Sequence, residues 1–209
     1  LNSTVSGNRA DDSGGGIYFA LFPGLDSSLQ LRLTTVADNT VGRSGGSLLV
    51  AGFSATPTPA GVVLDHAIVA NGSPHDLASE GPAPMTFTAN HSLIEAPGAV
   101  LLAGTGNLTG ADPLLGPLGN HGGPTQTRLL LPGSPAIDAG DPAIPSPPAT
   151  DQRGAARIVG PAIDLGAIEG QPGLIEVPAL SPAGLALLCA LLGAAGAWWL
   201  RSVRRSHQP

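Results

Sequence analysis

Lysine is absent from the sequence, and aromatic residues, charged residues and cysteine are all scarce. The nine basic residues of the 209 are all Arg, aromatic residues make up 3% and charged residues 11%, against about 25% charged residues in an average globular protein. Compact α/β enzymes, helix bundles and coiled coils need helix-forming residues and charged surfaces that this composition does not supply. The 42% of hydrophobic residues argues against simple disorder. Gly (30 residues) and Pro (21 residues) instead favour an all-β chain rich in turns.

The scarcity of cysteine and the distribution of charge exclude further classes of protein. Cys189 is the single cysteine, which rules out an intrachain disulfide, a cysteine-based zinc site and a dithiol redox pair. Residues 1–177 hold six Arg and all fifteen acidic residues, and this acidic body argues against nucleic-acid binding. The chain begins at Leu1 without Met or an apolar leader, so we expect the true N-terminus, with any signal peptide, to lie upstream.

Two short blocks of the sequence recur with the same offset of 31 residues. Ser3–Asn8 matches Thr34–Asn39, and Gly14–Ala20 matches Gly45–Ala51. Weaker copies of the first block follow at shifts of 32 and 25 residues, at His66–Asn71 and His91–Ala96. The unit predicts short strands joined by turns, in a coil that buries its apolar side chains only by stacking on the next coil.

The recurrent Asn of these blocks suggests a stack of side-chain amides. If the coils stack in register, Asn8, Asn39 and Asn71 occupy equivalent turns and hydrogen-bond one another and the backbone. The same alignment places Val5, Val36 and Ile68 inward on one sheet. Independent turn residues are the alternative interpretation of the three Asn.

These blocks resemble the rungs of right-handed parallel β-helices of the pectin-lyase-like class. The resemblance implies β-helix rungs over residues 1–110, with loops such as 55–60 inserted between strands.

A different set of motifs occupies residues 111–170. In chain order they are NHGGPT, GSPAIDAG, DQRG and DLGAIE, which span Asn120–Thr125, Gly133–Gly140, Asp151–Gly154 and Asp164–Glu169. The series resembles the bacterial choice-of-anchor Q domain, apart from His121, which interrupts the usual Asn-Gly-Gly. The resemblance implies an irregular C-terminal cap on the β-helix and no activity of its own.

The C-terminal segment has the composition of a membrane span. After a linker at 171–178, residues 179–200 carry no charge and are long enough to cross a bilayer as a helix. Trp198 and Trp199 lie at its end. Three basic residues follow and predict a cytoplasmic C-terminus: Arg201, Arg204 and Arg205.

The entry to this span and the order of its parts resemble the IPTL-CTERM sorting signal, over residues 179–205 and the residues just before them. The motif residues are Val177, Pro178, Ala179, Leu180, Ser181 and Gly184. The resemblance implies an exosortase-type membrane peptidase as partner, in a Gram-negative bacterium. It also implies insertion in the inner membrane during export, followed by a location at the cell surface or outside the cell.

Two groups of residues could carry chemistry. The carboxylates of the predicted cap could bind calcium, or they could form turns and ion pairs with Arg153 and Arg157: Asp138, Asp141, Asp151, Asp164 and Glu169. Asp65–His66 and His91 could form a proton-transfer pair in a carbohydrate groove, although solvated turn histidines are the simpler interpretation.

The sequence therefore predicts a non-enzymatic surface protein with no cofactor and no catalytic residue. Its fold is an all-β parallel β-helix followed by one transmembrane helix, and its surface ligand is not named by the sequence. The alternatives are a polysaccharide lyase or hydrolase with its active groove in upstream rungs, and a permanently anchored single-pass membrane protein.

Overall fold

A computed structural model describes residues 1–22, 27–53, 61–82 and 85–170, all within one compact unit, Leu1–Pro172. These ranges contain fourteen short β-strands and no helix. The strands are β1 Ser3–Ser6, β2 Arg9–Ala10, β3 Ile17–Leu21, β4 Leu29–Arg32, β5 Thr34–Ala37, β6 Thr40–Val41, β7 Leu48–Gly52, β8 Val62–Asp65, β9 Ile68–Ala70, β10 Leu77–Glu80, β11 Thr86–Asn90, β12 Leu93–Ile94, β13 Leu101–Ala103 and β14 Leu108–Thr109.

The strands form a coil in which successive turns of the chain add to the same sheets. Sheet 1 has the order β1-β5-β9-β12-β14, sheet 2 the order β3-β7-β10, and sheet 3 the order β4-β8-β11-β13, with a small β2-β6 ladder beside them. Every pairing between these strands is parallel. The predicted all-β class with parallel, β-helix-like strands is therefore confirmed, while the right-handed sense of the coil stays a prediction.

Stacked apolar side chains fill the inside of the coil. In sheet 1 the inward residues Val5, Val36 and Val69 follow one another at offsets of 31 and 33 residues. Sheets 2 and 3 contribute further buried residues to the same core, including Leu48, Val50, Leu64 and Phe87. Because each inward residue packs against its equivalent in the next coil, the core is one continuous column.

One corner of the coil is built from residues with a left-handed backbone. The positions before each sheet 1 strand have φ between +43° and +69°, and they are Asn2, Leu33, His66, His91 and Gly106. Asn and His tolerate this conformation better than most residues. At Gly106 a Cβ atom would lie 2.3 Å from the imidazole of His91, so both the space and the φ require glycine.

Residues 111–170 contain no strand and fold back along the outer face of sheet 1, and we call them the strap. Ile68 and Leu93 point outward from sheet 1 and are fully buried against Ala136 and Leu165 of the strap. At the other end of sheet 1, the hydroxyl of Thr4 donates to Gln152 Oε1 over 2.7 Å. The segment predicted as a C-terminal cap therefore covers the side of the coil.

The prediction that Ile68 faces inward is wrong. Thr35 pairs with Ile68, so Val36 is opposite Val69 and the inward position belongs to Val69. The wrong alignment rested on matching two Asn residues by identity.

The C-terminal predictions concern residues 171–209, which lie outside the described residues. These predictions are the linker, the sorting motif, the span at 179–200 and the Arg cluster. Within the described ranges, none of the structure is a helix with the length and apolar character needed to cross a membrane.

Candidate functional site

The Asn side chains at the first turn of the coil form a bridge between rungs. Asn39 is fully buried, and its Oδ1 accepts from the backbone N and the Nδ2 of Asn8 over 3.0 and 2.9 Å. Its Nδ2 donates to the carbonyl of Val5 over 3.0 Å. One side-chain amide thus satisfies backbone groups that the turn leaves without partners.

Asn71 does not belong to this bridge, so the expectation for the third Asn is wrong. Asn71 follows Ala70, which pairs with Ala37, and it therefore lies opposite Asp38 with φ +53° and an exposed side chain. Gly72 occupies the bridge position opposite Asn39. Its backbone N–H donates to Asp76 Oδ1 over 2.6 Å, so a carboxylate replaces the amide in the third coil.

Asp76 is a buried carboxylate without a cationic partner among its described contacts. Its Oδ2 accepts from the backbone N of Ala96 over 2.6 Å, and the residue is 0% exposed. Burial raises the pKa of Asp76 to about 6, although the two backbone N–H donors oppose the shift. The side chain joins two chain segments in the way that Asn39 does.

A second amide bridge, at Asn107, was not predicted from the sequence. Asn107 Oδ1 accepts from the backbone N of Ser92 over 3.0 Å, and its Nδ2 donates to Ala89 O over 2.7 Å. This repeats the pattern of Asn39 at another corner of the coil. The signal was an offset of 15 residues between Ser92-Leu93 and Asn107-Leu108, shorter than the periods that the repeats suggested.

A chain of polar contacts crosses from the coil to the strap at His66. Arg32 Nε lies 3.0 Å from Asp65 Oδ2, and Asp65 Oδ1 lies 2.6 Å from His66 Nδ1. His66 Nε2 accepts from the backbone N of Asp141 over 3.0 Å. The guanidinium of Arg32 also donates to the carbonyl of Pro145.

These contacts determine the state of the imidazole. A backbone N–H can only donate, so Nε2 is the unprotonated nitrogen and the proton on Nδ1 is donated to Asp65. His66 is 2% exposed, which shows that its interpretation as a solvated turn histidine is wrong. Burial lowers its pKa, and the hydrogen bond from Asp65 opposes that shift.

The carboxylate of Asp151 organises one end of the strap. Its Oδ1 accepts from the backbone N of Arg153 over 2.8 Å and of Ala155 over 3.1 Å. Its Oδ2 accepts from Arg153 Nη2 over 2.7 Å and from the backbone N of Glu169 over 3.0 Å. All four contacts lie within the strap, so this carboxylate closes a turn and an ion pair at once.

Arg157 lies at the centre of the remaining strap carboxylates and is 1% exposed. Its Nη2 donates to the carbonyls of Asp164 and Gly166. Glu169 accepts from the backbone N of Val159 and of Asp164 through its two oxygens. Burial raises the pKa of Glu169 to about 7, with the charge of Asp164 adding to the shift and that of Arg157 opposing it.

This arrangement favours the turn and ion-pair interpretation of the strap carboxylates over calcium binding. Asp138 and Asp141 lie elsewhere: the backbone N of Asp138 donates to Asp164, while Asp141 accepts from Ala143 N within its own turn. In the described part of the chain, no group of three or more His, Cys, Asp or Glu residues is placed to hold a metal ion. Arg157 supplies positive charge where a cation would otherwise be needed.

A cleft of about 550 Å³ lies between the first coil and the strap. Its lining is uncharged and carries hydroxyl and amide groups, from Asn2, Ser3, Thr4, Ser6, Leu118, Pro124, Thr125, Gln126 and Gln152. Gln152 spans it, accepting from Thr4 and donating to Thr125 Oγ1 over 2.9 Å. Its chemistry suits neutral polar groups more than ions.

The sequence motifs of the strap coincide with its contacts to the coil. Gly140 ends the GSPAIDAG motif and packs against His66, where a Cβ atom would lie 2.8 Å from the ring. Gln152 of the DQRG motif reaches Thr4, and Ala167 of the DLGAIE motif donates to Thr35 Oγ1 over 3.0 Å. No family model, curated protein or solved structure matches the chain.

Proposed function

We propose that the chain is an exported structural protein of the bacterial cell surface or extracellular space, of the adhesion type. The observation that carries this proposal is the coil with its strap. Stacked rungs form one continuous core, and the strap is attached along sheet 1 through polar and apolar contacts. Such a body is a stiff rod suited to displaying or spacing other segments.

The polar groups of this body support a structural role. The amides of Asn39 and Asn107 and the carboxylates of Asp76, Asp151 and Glu169 all accept hydrogen bonds from backbone N–H groups. They satisfy turns that would otherwise leave buried donors without partners. Their geometry is that of a scaffold.

The sorting part of the proposal rests on the sequence of the tail. We propose that residues 179–200 insert in the inner membrane and that an exosortase-type peptidase cleaves near Val177–Gly184. The apolar run favours insertion, and the Arg cluster fixes the C-terminus on the cytoplasmic side.

The mass of the C-terminal peptide of the exported protein tests this proposal. Exported protein from cells with an active exosortase is expected to end near Val177–Gly184, and protein from cells lacking the peptidase is expected to retain Trp198–Arg205. Retention of Trp198–Arg205 in both strains would show a permanent anchor.

The rival function is cleavage of a polysaccharide, and the uncharged cleft beside β1 is the observation that favours contact with sugars. Its lining offers hydroxyl and amide groups, whereas Asp65 and His66, the predicted proton-transfer pair, are engaged with Arg32 and Asp141. Incubation of the full-length protein with polygalacturonate and related polymers separates the two functions. Release of reducing or unsaturated sugars would replace the structural proposal by the enzymatic one.

A further inference from the structure

The contact between His66 and the strap depends on the protonation of one nitrogen. Nε2 accepts the backbone N–H of Asp141 over 3.0 Å. If Nε2 gains a proton, two N–H donors face each other at this distance, and the hydrogen bond becomes a repulsion. The imidazole is buried, so water cannot replace the lost contact unless the strap moves.

The charged groups around His66 come from the coil and from the strap. On the coil, Asp65 accepts from Nδ1 and is itself held by Arg32, while His91 stacks on the ring with centroids 5.3 Å apart. On the strap, Asp141 lies close enough for its carboxylate to favour the protonated ring. Asp65 and Asp141 thus oppose the effects of burial and of His91.

The strap is tied to this corner of the coil at neighbouring points. The backbone N of Gly166 donates to the carbonyl of His66 over 2.8 Å, and Arg32 donates to the carbonyl of Pro145. Gly140 packs against the edge of the ring. The segment 140–146 is therefore attached through the same Arg32–Asp65–His66 chain that would change on protonation.

We propose that His66 is a pH-sensitive latch, which holds segment 140–146 on the coil while its imidazole is neutral and releases that segment when Nε2 is protonated. Release breaks the Asp141–His66 hydrogen bond and lets the Asp141 carboxylate turn towards the imidazolium. The coil core stays intact, because its stacked apolar residues do not depend on this contact. The outer face of sheet 1 near Leu33 and His66 becomes accessible in the released state.

The direction of the pH dependence follows from linkage. The latched state holds His66 neutral, since burial lowers its pKa below the ordinary value of 6.5 that applies once the strap has opened. The open state therefore binds more protons, and latching weakens as the pH falls below about 6.5. The opening equilibrium rises by up to about tenfold per pH unit until the pH reaches the pKa of the latched state.

Hydrogen exchange of the full chain between pH 7.5 and pH 5 tests the latch. The protection factor of the Asp141 amide, corrected for the intrinsic exchange rate at each pH, is expected to fall by up to about tenfold per pH unit below about 6.5. Amides of β7, Leu48–Gly52, serve as the internal reference and are expected to keep their protection. Constant protection at Asp141, or an equal loss at β7, would overturn the proposal.

A matched pair of variants separates the latch from other effects of acid. His66→Gln places a neutral amide oxygen near the position of Nε2, so the Asp141 amide should stay protected at pH 5. His75→Gln changes an exposed histidine and should keep the wild-type dependence. An unchanged loss of protection in His66→Gln would show that another group is responsible.

Imidazole ¹⁵N spectra of the wild-type chain keep the test valid if His66→Gln does not fold. They are expected to show His66 as the Nδ1–H tautomer at pH 7.5 and to titrate with the same midpoint as the Asp141 amide shift. An Nε2–H tautomer at pH 7.5, or an Asp141 amide that does not follow His66, would contradict the latch.

Discussion

At the scale of single residues, one buried side chain often completes the hydrogen bonding of two neighbouring coils. Asn39 makes three such contacts, and Asn107 repeats two of them at another corner. Both residues stand where the chain turns and the parallel ladder is interrupted, so their amides replace missing backbone partners. The cost of losing one of them should exceed that of an exposed turn residue.

We expect Asn39→Ala to lower the free energy of unfolding by about 2–4 kcal/mol, because it leaves the Val5 carbonyl and the Asn8 N–H buried without partners. Urea denaturation measures the change. Asn71→Gly is the matched control, since Asn71 is exposed and left-handed, and its effect should stay within about 0.5 kcal/mol. Equal losses in both variants would favour the alignment of Asn71 with Asn39.

Glu169 makes the stability of the fold depend on pH. Its pKa is raised by burial to about 7 from an ordinary value of 4.5, so the folded chain binds more protons than the unfolded chain between these values. The free energy of unfolding should therefore fall as the pH rises from about 4.5 to 7, by up to about 3 kcal/mol from this residue. Asp76, with a pKa of about 6, acts in the same direction.

Urea denaturation across this pH range should show a shallower dependence in Glu169→Gln than in the wild type. The control is Glu80→Gln, which removes a carboxylate that pairs with Arg43 near the surface and should keep the wild-type slope. A Glu169→Gln slope equal to that of the wild type would assign the effect to other carboxylates.

At the scale of elements, adjacent residues of one strand serve two different cores. In β9, Ile68 packs under the strap and Val69 packs inside the coil. Side chains alternate between the faces of a strand, so a register error of one residue exchanges these roles. The strap and the coil can therefore be disturbed separately.

We expect Ile68→Asp to loosen the strap and Val69→Asp to unfold the coil, because each places a charge in a different apolar core. Limited proteolysis with mass spectrometry should find cuts confined to 111–170 in Ile68→Asp and throughout the chain in Val69→Asp. Val63→Asp, on the partly exposed outer side of β8, should give the wild-type pattern. Identical patterns in the Ile68 and Val69 variants would contradict the assignment of faces.

The sequence predicts the coil better than the strap, for a physical reason. The offset of 31 is correct because the first two coils repeat at two separate blocks, which fixes the register of β1 with β5 and of β3 with β7. The next offset is 33, and choosing 32 to align Asn71 reversed the faces of β9. The short coil before β14 escaped because its offset is only 15.

The burial of His66 could not be predicted from its neighbours in the sequence. Its partner Asp141 is 75 residues away and belongs to a segment with no regular strand. The outward apolar residues Ile68, Leu93 and Leu108 signal a covered face only once the register is known. The strap position thus depends on contacts that carry no periodicity.

At the scale of the whole molecule, the described fold balances its charges with its own side chains. Arg153 and Arg157 lie among the strap carboxylates, and Arg128 bridges Asp38 and Ser6 across the interface. We therefore expect neither EDTA nor excess calcium to change the thermal unfolding midpoint of the full chain at pH 7. A rise with calcium that EDTA reverses would restore the calcium hypothesis.

The strap also sets an order of events during folding. Pairs between coils join residues only 15 to 33 positions apart, whereas Thr4 meets Gln152 across 148 positions and Thr35 meets Ala167 across 132. Closing the long loops costs more chain entropy and slows folding, so the coil should form first and the strap should dock last. In a chain exported from its N-terminus, sheet 1 would stay uncovered until residues 111–170 had emerged. During that interval Ile68 and Leu93 would be exposed apolar side chains, and the emerging chain would be most prone to associate with others.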